Sequence, residues 1–331
     1  MDSDSNPFVS VVTPVYNGEK YLVECIESVL AQTHRNWEYI IVNNCSKDKS
    51  AEIATQYQAR DKRIRLVNCT EFVGVIENHN RAFRLISPLS QYCKVVAADD
   101  WLFPECLSRM VEVAEAHPSV ALVGSYTINQ GGVIWVGLPL EKNVFGGRDI
   151  CRQHFFGGPF VMGPPSSVLY RADVVRAEES FFPGSALCAD EATYYRILRD
   201  KDFGFVHQIL SFERIHEGAL NHEQMRLNAF LLNRVIFLVE YGKTYLEQRE
   251  WKQRFEELLQ EYYQYLALAV VNRFPARFWD HHKRRLAEVG LKIEAGRLAK
   301  CVSLKMIDLA LNPKQTFEKV VRQKFCLRPN Y

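Results

Sequence analysis

The sequence predicts an α/β fold, a mostly parallel sheet flanked by helices, with a helical C-terminal extension. Over the first 130 residues, short apolar runs alternate with helical patterns, an order typical of parallel strands joined by right-handed crossovers. Runs such as YIIVNN (39–44) are apolar at consecutive positions, as strands covered on both faces require. After residue 221 the pattern is helical with wide apolar faces. We therefore predict a first domain over residues 1–220 and a helical extension over 221–331.

The predicted elements follow one another along the first domain. Strands are expected at Phe8–Val15, Trp37–Asn44, Ile64–Asn68, Cys93–Ala98 and Ser119–Ile128. Helices are expected at Gly18–Gln32, Ser46–Arg60 with Ser46 as its N-cap, Val75–Leu85 and Pro104–Ala116. Over residues 131–184 the pattern loosens, and Phe155–Ser167, rich in Gly and Pro, is expected to form loops; a helix near Asp190–Arg199 and a strand near Phe205–Phe212 follow. In open sheets of this kind, ligands bind beyond the carboxyl ends of the strands.

The charge of the chain is unevenly distributed. The net charge of +2 gives no electrostatic reason to expect nucleic acid as a partner. Residues 271–331 contain 14 Lys/Arg and 5 Asp/Glu, whereas the preceding part contains 27 and 34. This basic C-terminal region favours peripheral contact with an anionic membrane surface, although a solvated helical face explains the same pattern.

Cysteine usage indicates the cellular compartment. The nine cysteines are scattered without a CxxC pair, and Cys25, Cys93 and Cys106 lie in apolar contexts, which predicts buried thiols in a reducing compartment. The segment MDSDSNPF is polar and acidic, unlike a signal peptide. No apolar run approaches the roughly 18 residues that a membrane span needs. We expect a cytoplasmic protein that can lie peripherally at the inner membrane face.

The stretch VVAADDWLFPECL (95–107) ends an apolar run in two adjacent acids, Asp99 and Asp100. Neighbouring carboxylates repel each other unless a positive group compensates them. Mg²⁺ and Mn²⁺ commonly bind one or two carboxylates together with substrate phosphates. The alternative is an exposed acidic turn that caps the helix beginning at Pro104. Because the sequence contains neither GxGxxG after the first strand nor GxxxxGK[ST], the dinucleotide and P-loop modes of phosphate binding are disfavoured.

Four segments, in this order, resemble the inverting family-2 nucleotide-sugar glycosyltransferases. Residues 9–50 resemble the N-terminal signature of that family, VVAADDWLFPECL its metal-binding Asp motif, and ADEATYYRIL (189–198) and LSFERIHEG (210–218) its acceptor-side acid and closing strand. The likeness spans about residues 9–216. It implies a glycosyltransferase A fold and transfer of a hexosyl or N-acetylhexosaminyl group from a nucleotide-diphosphate sugar, such as a UDP-sugar, to a glycan or lipid-linked acceptor in polysaccharide synthesis.

The resemblance also implies residue roles on the nucleotide side. The nucleotide contacts would be Thr13, Pro14, Tyr16, Asn44, His79, Asn80 and Asp99, with Tyr16 against the base. Asn44 stands where the family usually has Asp, and an amide adds no charge to the contact. His79 stands where many members have Arg, and a neutral imidazole binds phosphate more weakly than a guanidinium. Structural alternatives are a half-buried strand-end aromatic for Tyr16 and a lone surface histidine for His79.

The same resemblance implies the catalytic and metal-binding groups. Asp100 would be the main ligand to Mn²⁺ or Mg²⁺, with Asp99 and His216 beside it. Asp190 would be the general base that takes the proton of the acceptor hydroxyl, and Glu191 is the neighbouring alternative. Adjacent helical positions point about 100° apart, so only one of these two acids can face the sugar. Both can instead be ordinary acids favoured by a helix N-terminus.

Two other functions fit parts of the same sequence, and Trp101 has two possible roles. A nucleotidylyltransferase shares a similar sheet and metal acids, but the segment TPVYNGEKY lacks its Gly-rich basic loop. A non-catalytic sugar-nucleotide binding protein is suggested by the amides Asn43 and Asn44. Trp101, next to the paired acids, could stack on a sugar or pack in the core.

Overall fold

A computed structural model describes residues 6–184, 188–216 and 229–311. The chain separates into two compact units, Met1–Ala219 and Leu220–Tyr331. The strands of the first unit are β1 Val9–Val15, β2 Trp37–Asn43, β3 Ile64–Asn68, β4 Tyr92–Val95, β5 Trp101–Leu102, β6 Val120–Asn129, β7 Gly132–Ile134, β8 Val144–Phe145, β9 Val168–Arg171 and β10 Asp202–Phe212. Its helices are α1 Leu22–Leu30, α2 Ser50–Arg60, α3 Val75–Arg84, α4 Cys106–Ala116, α5 Gly147–Phe155, α6 Ala172–Arg176 and α7 Ala189–Leu198.

The strands form one sheet in the order β3-β2-β1-β4-β9-β6-β10-β5, with β7 paired to β6 and β8 to β10. Strand β1 pairs in parallel with β2 and β4, β2 with β3, and β6 with β10. Strand β9 lies antiparallel between β4 and β6, and β5 is antiparallel to β10. Strands β1, β2, β3, β4, β6 and β10 therefore share one direction. This arrangement confirms the predicted α/β fold class.

The core explains why the first elements form where the sequence predicts them. Nearly every residue of β1 and β2 is buried, because both faces of these strands are covered by helices. Helix α1 buries Leu22, Cys25, Ile26 and Val29, which recur at helical spacing on one face. The parallel strands bring their carboxyl ends to one edge of the sheet, and the candidate site lies at this edge.

One local prediction is wrong. Helix α2 begins at Ser50 instead of Ser46, because Asp48 accepts hydrogen bonds from the backbone N–H and the hydroxyl of Ser50 at 3.0 and 2.6 Å. The hydroxyl of Ser46 accepts from the backbone of Asn17 instead. Residues 131–184, where the sequence pattern loosens, also contain elements that were not predicted, namely β7, β8, α5 and α6. The predicted buried thiols Cys25, Cys93 and Cys106 are confirmed.

The second unit is helical in its described residues, as the sequence predicts. Its helices are α8 Ala229–Glu240, α9 Gly242–Tyr245, α10 Gln248–Val271, α11 Ala276–Glu288 and α12 Ala295–Leu311. Leu258 and Leu266 of α10 and Phe278 of α11 are buried, and the Tyr262 hydroxyl lies 2.6 Å from Nδ1 of the buried His282. Within the described ranges, every helix is too short or too polar to cross a bilayer.

Candidate active site

The paired acids lie in the turn between β4 and β5. Asp100 is only 6% exposed, and its Oδ1 accepts the backbone N–H of Arg214 at 2.9 Å. Burial, together with the neighbouring charge of Asp99, raises the pKa of Asp100 to about 8. Oδ2 of Asp99 lies 2.9 Å from Nε2 of His216. Two carboxyl groups and an imidazole thus meet at the carboxyl end of β4, where the sequence places the site.

Arg214 connects the segment after β10 to these acids. Its Nε donates to the backbone oxygen of Asp99 at 3.0 Å, and its terminal nitrogen donates to Glu24 at 2.6 Å. Its guanidinium lies 4.2 Å from the centre of the Tyr21 ring. Arg214 therefore holds the backbone around the acids in place through its own bonds to Asp99 and Glu24.

The donor set fits a hard divalent cation only in part. Asp99 and Asp100 supply the oxygen ligands that Mg²⁺ and Mn²⁺ prefer, whereas Nε2 of His216 already lies within hydrogen-bond distance of Asp99. In the described ranges, however, no three or more His, Cys, Asp or Glu side chains are arranged to hold a metal ion. A cation bound here would need further ligands from a substrate.

The acids predicted to act on the acceptor lie at the start of α7. Cys188, which precedes the helix, has a left-handed backbone with φ of 68°. Burial, and then the charge of Glu191, raises the pKa of the half-buried Asp190 to about 7. Glu191 instead accepts a hydrogen bond of 2.5 Å from the Tyr195 hydroxyl and lies 3.5 Å from Nε2 of His154. The two neighbours thus occupy different environments, and Glu191 is engaged by two other side chains.

The residues after β1 divide between the core and the surface. Thr13 is fully buried, and its hydroxyl contacts the Tyr39 hydroxyl and the backbone oxygen of Val96, both at 2.8 Å. A nucleotide could therefore meet Thr13 only through its backbone. Pro14 is half-buried. Tyr16 is 45% exposed, and its ring centre lies 4.7 Å from that of Phe72, which is 60% exposed. Tyr16 and Phe72 form an exposed aromatic pair that the sequence did not reveal.

Asn44 and Asn80 each hold a distant loop through two hydrogen bonds. The Asn44 amide donates to the backbone oxygen of Val73 at 2.8 Å and accepts its N–H at 3.0 Å. The Asn80 amide does the same with Phe182, at 2.9 and 2.8 Å. Both asparagines are 2% exposed. Their amides therefore fix the backbone around the site, whereas the sequence predicted that they contact a nucleotide.

His79 is half-buried, and it is not an isolated surface residue. Its Nδ1 lies 2.9 Å from the backbone oxygen of Val75, and its ring packs against Phe182 at 5.6 Å. Burial lowers the pKa of His79, which favours the neutral imidazole. Because the carbonyl oxygen of Val75 can only accept, the neutral ring carries its proton on Nδ1 and leaves Nε2 as an acceptor, so it offers a phosphate neither a charge nor a donor.

Two further residues near the acids have positions that the sequence did not settle. Trp101 stacks on Phe212 with ring centres 3.8 Å apart and planes 3° apart, so its ring is engaged in packing. Lys94 is fully buried, and its ammonium donates to the backbone oxygens of Ser166 and Val168 at 2.8 and 3.2 Å. The only signal of Lys94 in the sequence is a single charge inside the apolar run CKVV.

A separate cavity of about 540 Å³ lies along the outer face of α5. It is lined by Asp149, Arg152, Gln153, Phe156, Gly158 and Pro159. These residues differ from every one that the sequence assigned to the site. The acids and the exposed aromatic pair therefore lie outside this cavity.

Known proteins share both the fold and the sequence pattern of the first unit. The N-terminal unit of TarS from Staphylococcus aureus, solved in complex with UDP-GlcNAc, superposes with a TM-score of 0.61 at 16% identity, covering 86% of this chain and 80% of that chain. A mannosyltransferase from Pyrobaculum calidifontis, solved with GDP-Man and Mn²⁺, superposes with a TM-score of 0.55 at 15% identity, covering 95% and 82%. The fold is therefore that of the glycosyltransferase A class.

The sequence then defines the family. The family model of glycosyl transferase family 2 matches residues 10–176, about half of the chain, and the chain belongs to this family. TuaG of Bacillus subtilis, whose name assigns it to teichuronic acid biosynthesis, is 33% identical over 137 residues. That match covers 41% of this chain and 52% of TuaG, so the chain spans about half the length of this relative.

Proposed function

We propose that this protein transfers a sugar from a nucleotide-diphosphate donor to an acceptor hydroxyl, with inversion at the anomeric carbon. The observation that carries the proposal is the pair Asp99 and Asp100 at the carboxyl end of β4, in a chain of glycosyl transferase family 2. The nucleotide sugars bound in the two solved relatives support this class of donor. The donor would be a UDP- or GDP-sugar that carries a hexosyl or N-acetylhexosaminyl group.

Asp190 is the general base in this proposal. Inversion by direct displacement needs a carboxylate on the side of the sugar opposite the leaving diphosphate, where it takes the proton of the attacking hydroxyl. A pKa of about 7 suits this task, because the carboxylate is then basic enough to accept a proton near neutral pH. Glu191 is a weaker candidate because Tyr195 and His154 already contact its carboxylate.

Asp99 and Asp100, with His216 beside them, are the residues that would hold Mn²⁺ or Mg²⁺, and the donor diphosphate would have to supply further ligands, because these three side chains are not arranged to hold the ion alone. Such a cation, once bound, stabilises the negative charge that develops on the departing diphosphate. Arg214 keeps the backbone around these acids in register through Asp99 and Glu24. On the nucleotide side, the exposed ring of Tyr16 offers a face for the base, and Pro14 and the backbone of Thr13 border it. His79 would donate to the diphosphate only in its protonated form, because its neutral form spends its one N–H on the backbone oxygen of Val75.

We further propose that the acceptor is a glycan or a lipid-linked glycan at the cytoplasmic membrane face, in cell-surface polysaccharide synthesis. The name of TuaG supports the polysaccharide assignment. Helix α12 exposes Leu304, Ile307 and Leu311, which lie within one arc of about 60° on a helix. This exposed apolar face, in a region of 14 basic and 5 acidic residues, suits contact with anionic lipid. Greater co-sedimentation with anionic than with neutral vesicles is expected, and equal sedimentation with both would contradict the membrane contact.

A panel of nucleotide sugars, incubated with the protein in Mn²⁺ or in EDTA, tests the reaction itself. The proposal expects slow release of the nucleoside diphosphate from at least one sugar, only with the metal. Proton NMR of the first product formed should show the anomer opposite to that of the donor. Release of pyrophosphate from a nucleoside triphosphate and a sugar phosphate would identify a nucleotidylyltransferase instead. Binding without turnover, with several acceptors present, would identify a non-catalytic binding protein.

A further inference from the structure

A group of aromatic rings lies next to the first turn of α7 and has no role in the site described above. Trp135 meets Phe160 edge-on at 5.7 Å between ring centres, and Phe160 meets His154 at 5.4 Å. All three side chains are half-buried. Phe160 also lies 6.4 Å from Tyr194 of α7, and Nε2 of His154 lies 3.5 Å from Glu191. We call Trp135, Phe160 and His154 the aromatic subsite; it adjoins the residue that follows Asp190.

Two ring nitrogens of the aromatic subsite lack hydrogen bonds. Nε1 of Trp135 and Nδ1 of His154 are buried, and none of the residues that the structure describes offers them a partner. Buried polar atoms in native proteins are nearly always paired with protein or water, because an unpaired one costs free energy. Two such atoms on rings that share Phe160 as a neighbour indicate a place that a polar ligand completes.

The backbone of Trp135 is also strained. Its φ of 64° lies in the left-handed region, which a bulky residue rarely adopts. Such strain persists where the surroundings impose it, and it clusters at ligand-binding sites. The surroundings here include Gly163, because a Cβ at this position would lie 2.2 Å from Oγ of Ser167 and 3.1 Å from Cδ1 of Trp135. Only glycine allows the Gly163 loop to approach the indole so closely.

We propose that the aromatic subsite binds a sugar ring of the acceptor. A pyranose has an apolar face of C–H groups and a rim of hydroxyls, so its apolar face can pack on one of the two nearly perpendicular rings of Trp135 and Phe160 while its hydroxyls pair with the two ring nitrogens. Its position beside α7 places the acceptor next to Asp190, the proposed base. This inference rests on the proposed function, which it deepens by naming the residues that hold the acceptor and its chemical class, a glycan.

Saturation-transfer NMR on the full chain tests the subsite without any need for turnover. The probes are methyl glycosides of glucose, galactose, mannose and N-acetylglucosamine, each titrated into the wild-type protein. At least one is expected to bind through its ring protons. Trp135→Phe keeps an aromatic ring and removes the N–H, so it should raise the Kd about threefold to tenfold. Phe160→Ala should weaken binding further. The matched control Trp279→Phe, in α11 of the second unit, should bind as the wild type does.

Glycoside binding tests the aromatic subsite, and donor hydrolysis tests the proposed reaction independently. The subsite is overturned if no glycoside binds to the wild type, or if Trp135→Phe and Phe160→Ala bind as tightly as Trp279→Phe. Should Phe160→Ala fail to fold, Trp135→Phe and His154→Gln decide the question, since each changes one ring within the cluster. Metal-dependent donor hydrolysis by the wild type is measured separately. Glycoside binding with no hydrolysis of any donor would contradict the proposed function, and hydrolysis without glycoside binding would contradict the subsite.

Discussion

The two halves of the sheet in the first unit treat their polar groups differently. At the carboxyl ends of β1 and β2, polar side chains are paired inside the protein, as when Asn44 exchanges two hydrogen bonds with Val73. Around β7 and α5, ring nitrogens of Trp135 and His154 find no partner among the residues described. The ends of β1 and β2 are thus fixed by contacts within the protein, although the same half also has two buried polar atoms without a partner among the described residues, Nε1 of Trp37 and Oδ1 of Asn78. In the other half, we propose that the two ring nitrogens pair with hydroxyls of the acceptor.

Replacing Asp190, the acid in the first turn of α7, is expected to have the largest effect. Asp190→Asn removes the proposed base and should lower kcat by about 100-fold to 10,000-fold. Glu191→Gln should cost less, because Glu191 is engaged by Tyr195 and His154. Steady-state kinetics with the best donor measure both, with Asp200→Asn as an exposed control.

A protein that keeps wild-type turnover in Asp190→Asn but loses it in Glu191→Gln would contradict the assignment of the base. Folding is checked by thermal unfolding at pH 8. Because the pKa of Asp190 is raised above its ordinary value, the native state binds this proton more tightly than the unfolded state does, so the charged form costs stability at high pH. Asp190→Asn should therefore be at least as stable as the wild type at pH 8.

Asn80 gives the most direct test of the side-chain hydrogen bonds that fix the backbone around the site. Asn80→Ala leaves the backbone N–H and oxygen of the buried Phe182 without the side chain that satisfies them. The free energy of unfolding should fall by roughly 2–4 kcal/mol, since each unpaired buried group costs about 1–3 kcal/mol. Urea denaturation measures the change. The exposed Asn143→Ala should stay within about 0.5 kcal/mol of the wild type; an equal loss in both variants would show that Asn80 is not a special contact.

The pH dependence of kcat/KM tests whether Asp190 is the general base. Glu191 on the same helix and Glu213 after β10 both raise the pKa of Asp190, and Tyr170 and Tyr194 also face it. Because the base must be deprotonated, kcat/KM should rise about tenfold per pH unit below about pH 7 and level off above it. A flat profile from about pH 5.5 to 8.5 would show that Asp190 does not titrate in the rate-determining step.

The smallest effect is expected at Tyr16, the exposed ring that we propose to contact the nucleotide base. Tyr16→Ala removes a ring that we propose to face the base, and loss of one aromatic contact of about 1 kcal/mol weakens binding roughly fivefold. Titration of the bound diphosphate measures its Kd. Leu89→Ala, an exposed apolar control at 76% exposure, should leave the Kd unchanged. Equal Kd values for wild type and Tyr16→Ala would place the base elsewhere.

The same contrast explains which parts of the fold the sequence could predict. Strands β1 and β2 were predicted because their consecutive apolar residues leave a strong signal, and Asp99 and Asp100 were found because they interrupt such a run. Strands β7 and β8 span three and two residues, too few for any periodicity to show. Helix α5 was missed because its sequence, GRDICRQHF, lies among glycines and carries few apolar residues.

Side-chain roles that depend on distant partners could not be predicted either. The family pattern assigned Asn44 and Asn80 to the nucleotide, but their partners Val73 and Phe182 lie 29 and 102 residues away in the chain. Nothing in a local pattern reports such a pairing. Trp135 and His154 likewise gave no signal, because their unpaired nitrogens become visible only once the chain is folded.

Titration calorimetry with UDP, GDP and dTDP, in Mn²⁺ and in EDTA, tests most directly whether Asp99 and Asp100 hold the cation that assists the leaving diphosphate. We expect at least one diphosphate to bind to the wild type about tenfold or more tightly with Mn²⁺ than in EDTA, and Asp100→Asn to lose this gain while it stays folded. Equal binding of the diphosphate without the metal, or a full effect of Mn²⁺ in Asp100→Asn, would show that Asp99 and Asp100 do not hold this cation.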